Sequence, residues 1–357
     1  MRSIKVAGLA FLAGLAYLLF WPGPIEPEAW TPPQAPPLEG IYAPNTLLEA
    51  VERIGTGVDW GPESVAFDRA GRIYAGFEHG RIVRFDPDGD SYQAYAETGG
   101  RPLGLHFDAR GNLLVADAER GLLSVPPRGE IEVLAAEADG TPFGLTDDLD
   151  IAEDGTIYFS DATSKYSYAN YVLDAREHGT HGRLLAYEPS NRTTTVLLDG
   201  LSFANGVAVS PDQSFVLVCE TWKYRIRRYW LVGPKEGETD IFIDNLPGFP
   251  DGVSSNGRDR FWVALVSPRI SPLDSLLPFP RFRKALQRLG VLDFRNADGD
   301  SARYGFVLGL DTGGAVVHNL QDPTGMYYDS ITSAEEHDGK LYLGSNAQDA
   351  IGRLPVP

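Results

Sequence analysis

Apolar and polar positions recur in a fixed unit from residue 61 onward: an apolar run, a turn of the Asp-x-x-Gly or Asp-Gly kind, and a second apolar run. "SVAFDRAGRIYAGF" (64–77), "GLHFDARGNLLVAD" (104–117), "LDIAEDGTIYFSD" (149–161), "GVAVSPDQSFVLVCE" (206–220), "GVSSNGRDRFWVAL" (252–265) and "SAEEHDGKLYLGS" (333–345) are six examples. The turn residues and the β-branched and aromatic residues around them predict a hairpin in each. Many units add a further strand pair, as in "GRIVRFDPDGDSYQAYA" and "GRLLAYEPSNRTTTVLL". Four strands per unit, repeated at about 40 residues, predict an all-β fold, a six-bladed β-propeller over residues 39–357. The stretch "IYAPNTLLEAVERIG" ahead of the first full unit is positioned to supply a strand that closes the ring with the last blade.

Two segments depart from this rhythm. Arg2 and Lys5 precede the uncharged 16-residue run Val6 to Trp21, a secretory or anchoring pattern. It is short for a bilayer span, which needs about 20 apolar residues. The following "PGPIEPEAW" lacks a small-residue cleavage site, so residues 1–21 read as an uncleaved signal anchor. Basic residues before the run, and Glu26 and Glu28 after it, place the propeller on the extracytoplasmic side of a single-pass anchor. Residues 22–38, with seven prolines, read as an extended tether. The second departure, "SPLDSLLPFPRFRKALQRLGVLDF" within 266–300, joins apolar residues to Arg281, Arg283, Lys284 and Arg288. A helix covering a blade edge, a lid over the central site and a second membrane contact all fit it.

Composition narrows the partners. The 49 acidic against 31 basic side chains give a net charge of -18, which repels phosphate backbones and argues against nucleic acid. The single cysteine, Cys219, sits in the apolar run "FVLVCET", which suits a buried strand thiol and rules out an intrachain disulfide.

In a propeller, the residue just before each inner strand reaches the central tunnel from a different blade. That position holds Glu63 in "GPESV", Asp147 and Asp148 in "TDDLD", Asn205 in "FANGV" and Asp251 in "FPDGV". All are oxygen donors. Carboxylates plus an amide carbonyl, without histidine or cysteine, suit a hard cation such as Ca²⁺ or another divalent ion. Asn-Gly and Asp-Gly are also ordinary turn formers, so the common register carries the argument rather than any one residue. The second and sixth units hold Leu103 and Thr332 or Ser333 there. Crowding Asp147, Asp148 and Asp150 within four positions is costly unless water or a cation compensates. No Gly-x-Ser-x-Gly or His-Glu-x-x-His motif occurs, which removes support for serine-hydrolase and zincin chemistry. His106 and His337 are the histidines nearest inner-strand starts; His106 and Asp148 are candidates for the substrate pocket, and His337 reads as structural.

The runs "GPESVAFD", residues 183–253 and "EEHDGKLYLGS" resemble the strictosidine-synthase-like proteins, especially their membrane-anchored animal members. The resemblance covers about residues 40 to 355. It implies kinship with the regucalcin and gluconolactonase propellers and with paraoxonases, and a single divalent ion held by Glu63, Asp147, Asn205 and Asp251. The family pattern has Asn where this chain has Asp147, which adds a third carboxylate. True strictosidine synthases condense an amine with an aldehyde through a last-blade glutamate. Here Thr332 and Ser333 fall at that position, and Glu335 is shifted in register and expected on the other strand face, which argues against that condensation. The expected activity is Ca²⁺-dependent hydrolysis of lactones or aryl esters with Asp251 as general base. The alternative is a membrane-tethered propeller that binds small molecules without turnover.

Overall fold

The computed structural model describes residues 2–291 and 303–357; the last residues of the basic insertion lie outside the described residues. Among the described residues, the strands form six four-stranded antiparallel sheets and one small hairpin. The inner strands are Val65–Phe67, Pro102–Phe107, Thr146–Ile151, Ala204–Val209, Gly248–Ser255 and Ile331–His337, one for each predicted unit. Consecutive inner strands touch one another around the full circle, so the sheets stand as blades about a common axis. Each blade builds outward in sequence order, except the sixth. There Glu52–Ile54 pairs antiparallel with Ile351–Pro355, and the ring closes with a strand from ahead of the first blade, as the sequence predicts.

The hairpins follow from their turn chemistry. In the first two blades Asp68 and Asp108 accept backbone N–H bonds from two and four residues ahead, at 2.8 to 3.0 Å. Gly71 and Gly111 supply the positive φ that closes each turn. Apolar faces of neighbouring blades interlock between the sheets. Phe215, Phe242 and Phe261, for example, join the fourth blade to the fifth in one cluster. Cys219 is fully buried in the second strand of the fourth blade.

Five of the six inner strands carry a β-bulge near their start. Two residues of the inner strand stand opposite one of its partner at Leu103–Gly104, Asp147–Asp148, Asn205–Gly206 and Asp251–Gly252, and Thr332 is extra in the sixth blade. A bulge re-aims the side chain it contains. The second bulge position is glycine in three blades because the neighbouring inner strand comes too close for a side chain. A Cβ on Gly206 would lie 2.3 Å from Val253 N, and one on Gly252 would lie 2.4 Å from Thr332 O.

Inner strands start at the face where the bulges lie and run away from it, and second strands return to it, so connections between second and third strands emerge over that end of the tunnel. Two such connections carry helices. Helix α1 is the N-terminal Arg2–Phe20, α2 (Val172–Glu177) lies in the third blade, and α3 (Ser271–Leu276) and α4 (Pro280–Arg288) lie in the fifth. Among the described residues no helix is long and apolar enough to cross a membrane, so the anchor expected from the sequence is not shown by the fold.

Residues 22–38 have no helix or strand but are fastened to the propeller along their length. Glu26 N donates to Glu177 Oε2 at 2.6 Å, Glu28 N to Glu177 O at 3.1 Å and Trp30 N to Leu277 O at 3.3 Å. Ile25 is buried, and Trp30 stacks on His178 at 4.8 Å. Glu177 is the hub. Burial would raise its carboxyl, but hydrogen bonds from His181, Lys165, the Glu26 amide and Tyr166 outweigh that and hold it down at about 2.

A candidate active site at the propeller axis

Glu63, Asp147, Asn205 and Asp251, each from a different blade, line one cavity of about 20 Å³ on the axis. That is room for a water-sized occupant or a bare ion. Leu103, Thr332 and Ser333, from the two blades without a carboxylate or amide at this position, complete the ring. The bulges place Asp147, Asn205 and Asp251 here: each is the first residue of its bulge, and its side chain turns inward while the second residue clears the neighbouring blade.

The third blade departs from that pattern, with Asp148 where the others have glycine. Its carboxylate fills the space between blades by accepting the Val207 N–H at 2.9 Å, and two residues on Asp150 accepts Val209 N–H at 2.8 Å. The crowded aspartates therefore divide their labour. Asp147 faces the cavity centre, while Asp148 and Asp150 fasten the third blade to the fourth, with Asp148 also on the cavity wall.

The electrostatics are those of an acid-rich pocket out of water. Burial, then the charges of Glu63 and Asp148, push the Asp147 carboxyl well above its ordinary range. Burial, then Glu63 and Asp147, do the same to Asp251, against a hydrogen bond from Asn205. Asp148 is pushed up to about 7, chiefly by burial. Glu63 is also raised by burial, although Arg101 opposes the shift. The Arg101 guanidinium is buried, donates to Glu63 Oε2 at 2.7 Å and Gly61 O at 3.0 Å, and lies 3.3 Å from Glu78. Tyr168 closes this cluster from above by donating to Glu78 Oε1 at 2.8 Å.

The donor chemistry of these four residues fits a hard divalent cation. The arrangement is not a coordination set as it stands: among the described residues no three His, Cys, Asp or Glu side chains are grouped so as to hold a metal ion. The Glu63 carboxylate is engaged by Arg101 instead.

Asn205 and Asp251 also line a second, larger cavity of about 690 Å³ that opens above the first. One side of this vestibule is apolar, built from Phe203, Trp222 and Phe249 with Tyr171 of the α2 connection and Leu273 of α3; Arg53, Asn346 and Gln348 belong to its polar side. Phe203 and Trp222 pack at 4.7 Å. Phe203 has φ of 60°, a costly conformation for a bulky residue, two positions before Asn205. A vestibule of this size suits a small organic ligand.

Two sequence expectations are corrected. His106 lines neither cavity: it lies near the far end of its inner strand, exposed, with Nε2 3.4 Å from Asp150 Oδ1. Glu335 does not turn away from the axis. The bulge at Thr332 resets the alternation of the strand, so Glu335 lines the axial cavity, its carboxyl pushed well above the ordinary range by burial and by Asp148 and Asp150. His337 stacks on Phe67 at 4.0 Å, a structural contact. Sequence reasoning missed Arg101 and the aromatic vestibule. Arg101 stands at the start of the second inner strand, but a cation does not belong to a set of oxygen donors, and only the assembled blades bring it to Glu63.

A six-bladed propeller with oxygen-donor side chains from five blades around one axial cavity defines the class of protein. The chain belongs to the strictosidine synthase-like family. The strictosidine synthase family model matches residues 147–234, and the strictosidine synthase-like N-terminal model matches residues 40–85. The adipocyte plasma membrane-associated protein of Homo sapiens is 35% identical over 361 residues, covering 96% of this chain and 86% of that one. Among solved structures, a gluconolactonase from Xanthomonas campestris superimposes with a TM-score of 0.61 at 17% identity, covering 94% of this chain and 98% of its own. A calcium-binding regucalcin from Agrobacterium tumefaciens does so with a TM-score of 0.58 at 14% identity, covering 87% and 93%. At these identities the two structures attest the fold.

Proposed function

We propose that this protein is a membrane-associated, Ca²⁺-dependent hydrolase of lactones or aryl esters. The observation that carries the reading is that Glu63, Asp147, Asn205 and Asp251 share one small cavity, and that Asn205 and Asp251 open it onto a half-apolar vestibule. Glu63, Asp147, Asn205 and Asp251 would hold the ion, which when bound supplies a Lewis acid for an ester carbonyl oxygen. The aromatic side of the vestibule would seat the ring or acyl group of the substrate. Asp251, on the vestibule floor, would take a proton from the attacking water and return it to the departing oxygen, so an aryl ester gives an acid and a phenol and a lactone opens to one hydroxy acid.

The sequence of α1 and the likeness to a membrane-associated relative support attachment through the N-terminal helix, with the propeller on the extracytoplasmic side. One observation favours a second reading, a propeller that binds without turnover: Arg101 already supplies Glu63 with a positive partner. A panel of γ- and δ-lactones and phenyl acetate, with and without chelator, separates the two. The hydrolase reading expects turnover that a chelator abolishes and Ca²⁺ restores. Ligand binding without turnover in Ca²⁺ establishes the second reading instead.

A further inference from the structure

Helix α4 presents an apolar face that the axial site does not use. Phe279, Phe282, Leu289 and Val291 are 59%, 51%, 58% and 66% exposed. Phe282 stands within α4, Phe279 and Leu289 flank its two ends, and Val291 follows, so the four form one exposed apolar patch around the helix. The other side is bolted to the protein by polar contacts. The buried Arg283 donates to the carbonyls of Arg176 at 3.0 Å and Glu177 at 3.1 Å, and to that of Glu28. Gln287 accepts from Arg176 at 3.0 Å. A surface helix ordinarily turns its large apolar side chains inward; α4 buries Arg283 with Ala285 and leaves Phe282 in solvent.

Two observations identify what covers this face. The first is continuity with α1. Arg288 donates to the carbonyls of Tyr17, at 2.9 Å, of Leu18 and of Trp21, capping the C-terminal end of that helix with positive charge. The Arg281 guanidinium lies 5.0 Å from the Phe20 ring. Exposed apolar side chains of α1 thus run on into those of α4, and they meet where Tyr17, Phe20 and Trp21 are gathered, the residue types that favour a membrane–water boundary. The second is charge. In a chain of net charge -18, Arg281 and Arg288 stand beside this apolar face, which suits anionic headgroups and not a second copy of so acidic a chain.

We infer that α4 is a second membrane contact, lying in the plane of an anionic bilayer beside α1, with Phe279, Phe282 and Leu289 at the headgroup–acyl boundary. The inference rests on the reading of α1 as a membrane helix. Interfacial helices of this kind bury their apolar face about 5–10 Å deep.

Cys219 is buried and is the chain's one cysteine, so an introduced surface cysteine can be labelled alone. The test places an environment-sensitive NBD probe at Phe282→Cys, Leu12→Cys or Tyr92→Cys of the full chain, in nanodiscs of phosphatidylcholine and phosphatidylserine. Tyr92, exposed on the outer strand of the first blade, is the water-facing control. The probe at 282 is expected to emit to the blue of the one at 92 and to lose most of its intensity to lipids spin-labelled near the headgroup. The probe at 12 should be quenched instead by lipids labelled deep in the chain. Quenching at 12 with a water-like signal at 282 overturns the role of α4 and leaves α1 in the membrane; no quenching at either position overturns both readings. A blue shift at 282 without quenching by lipid means that protein covers the face, and also overturns the inference.

Discussion

At the scale of single residues, the site rests on a division among chemically identical side chains. Asp147 and Asp251 occupy equivalent first positions of their bulges, yet only Asp251 also faces the vestibule. Asp251→Asn is therefore expected to lower kcat/KM on phenyl acetate by about 10²–10⁴, the usual contribution of a general base. Asp147→Asn removes the same charge from the same cavity and should retain most activity. Equal losses in the two variants would remove Asp251 from the base role. The buried carboxyls also set a pH dependence. The Asp148 carboxyl is pushed from 3.8 to about 7 in the folded chain, so the folded state holds more protons than the unfolded one between those values. The associated stability is complete below pH 3.8 and is lost as pH rises through about 7, and the upward shifts of Asp147 and Asp251 act in the same direction. Above pH 6.5, where the neutral burial of His178 no longer acts in the opposite direction, the melting temperature in chelator should fall towards pH 8, and saturating Ca²⁺ should suppress the fall. A melting temperature that rises over that interval in chelator would contradict this account.

At the scale of elements, the β-bulge links sequence to chemistry. In the fourth and fifth blades it turns an oxygen donor inward and demands glycine at the next position, which is why Asn205-Gly206 and Asp251-Gly252 read equally well as turn formers. Gly252→Ala would drive a Cβ to 2.4 Å from the Thr332 carbonyl of the neighbouring blade. Overpacking of that kind costs about 1–3 kcal/mol, which would appear as a lowered denaturant midpoint at unchanged slope. An unchanged midpoint would mean that the blades separate freely. The same bulges explain what was legible beforehand. The hairpins were, because Asp68 and Gly71 or Asp108 and Gly111 carry their own turn chemistry locally. So was the ring of four donors, because the repeat puts them in register. The facing of Glu335 was not: it depends on one extra residue in the strand pairing, which alternation of apolar and polar positions does not reveal. Nor was the vestibule, since Phe203, Trp222 and Phe249 meet only when adjacent blades and the α2 and α3 connections are assembled.

At the scale of the whole molecule, closure of the ring is separable from attachment of α1. Deleting residues 1–22 removes α1 and leaves Glu52–Ile54 paired with the last blade, so the melting temperature should move little. Deleting residues through Ile54 exposes the edge of Ile351–Pro355 and uncovers the apolar packing around Ile54, Val65 and Phe85. That variant should melt at least several degrees lower and elute as aggregates in size-exclusion chromatography. Indistinguishable melting curves for the two deletions would show that the closing strand contributes nothing.

The fastening of residues 22–38 has a mechanical consequence. Under the proposed attachment through α1, any pull on the propeller passes through that segment. Without fastening, the load would fall on the contacts of Tyr42, Ala43 and Asn45 with the fifth blade and then on the three paired residues of Glu52–Ile54, whose loss would open the ring. Instead Arg288 grips the end of α1, and Glu26, Glu28 and Trp30 are tied to Glu177 and Leu277 before the chain reaches the closing strand. The helical cap meets the force ahead of the blades, as a clamp relieves a cable at its socket.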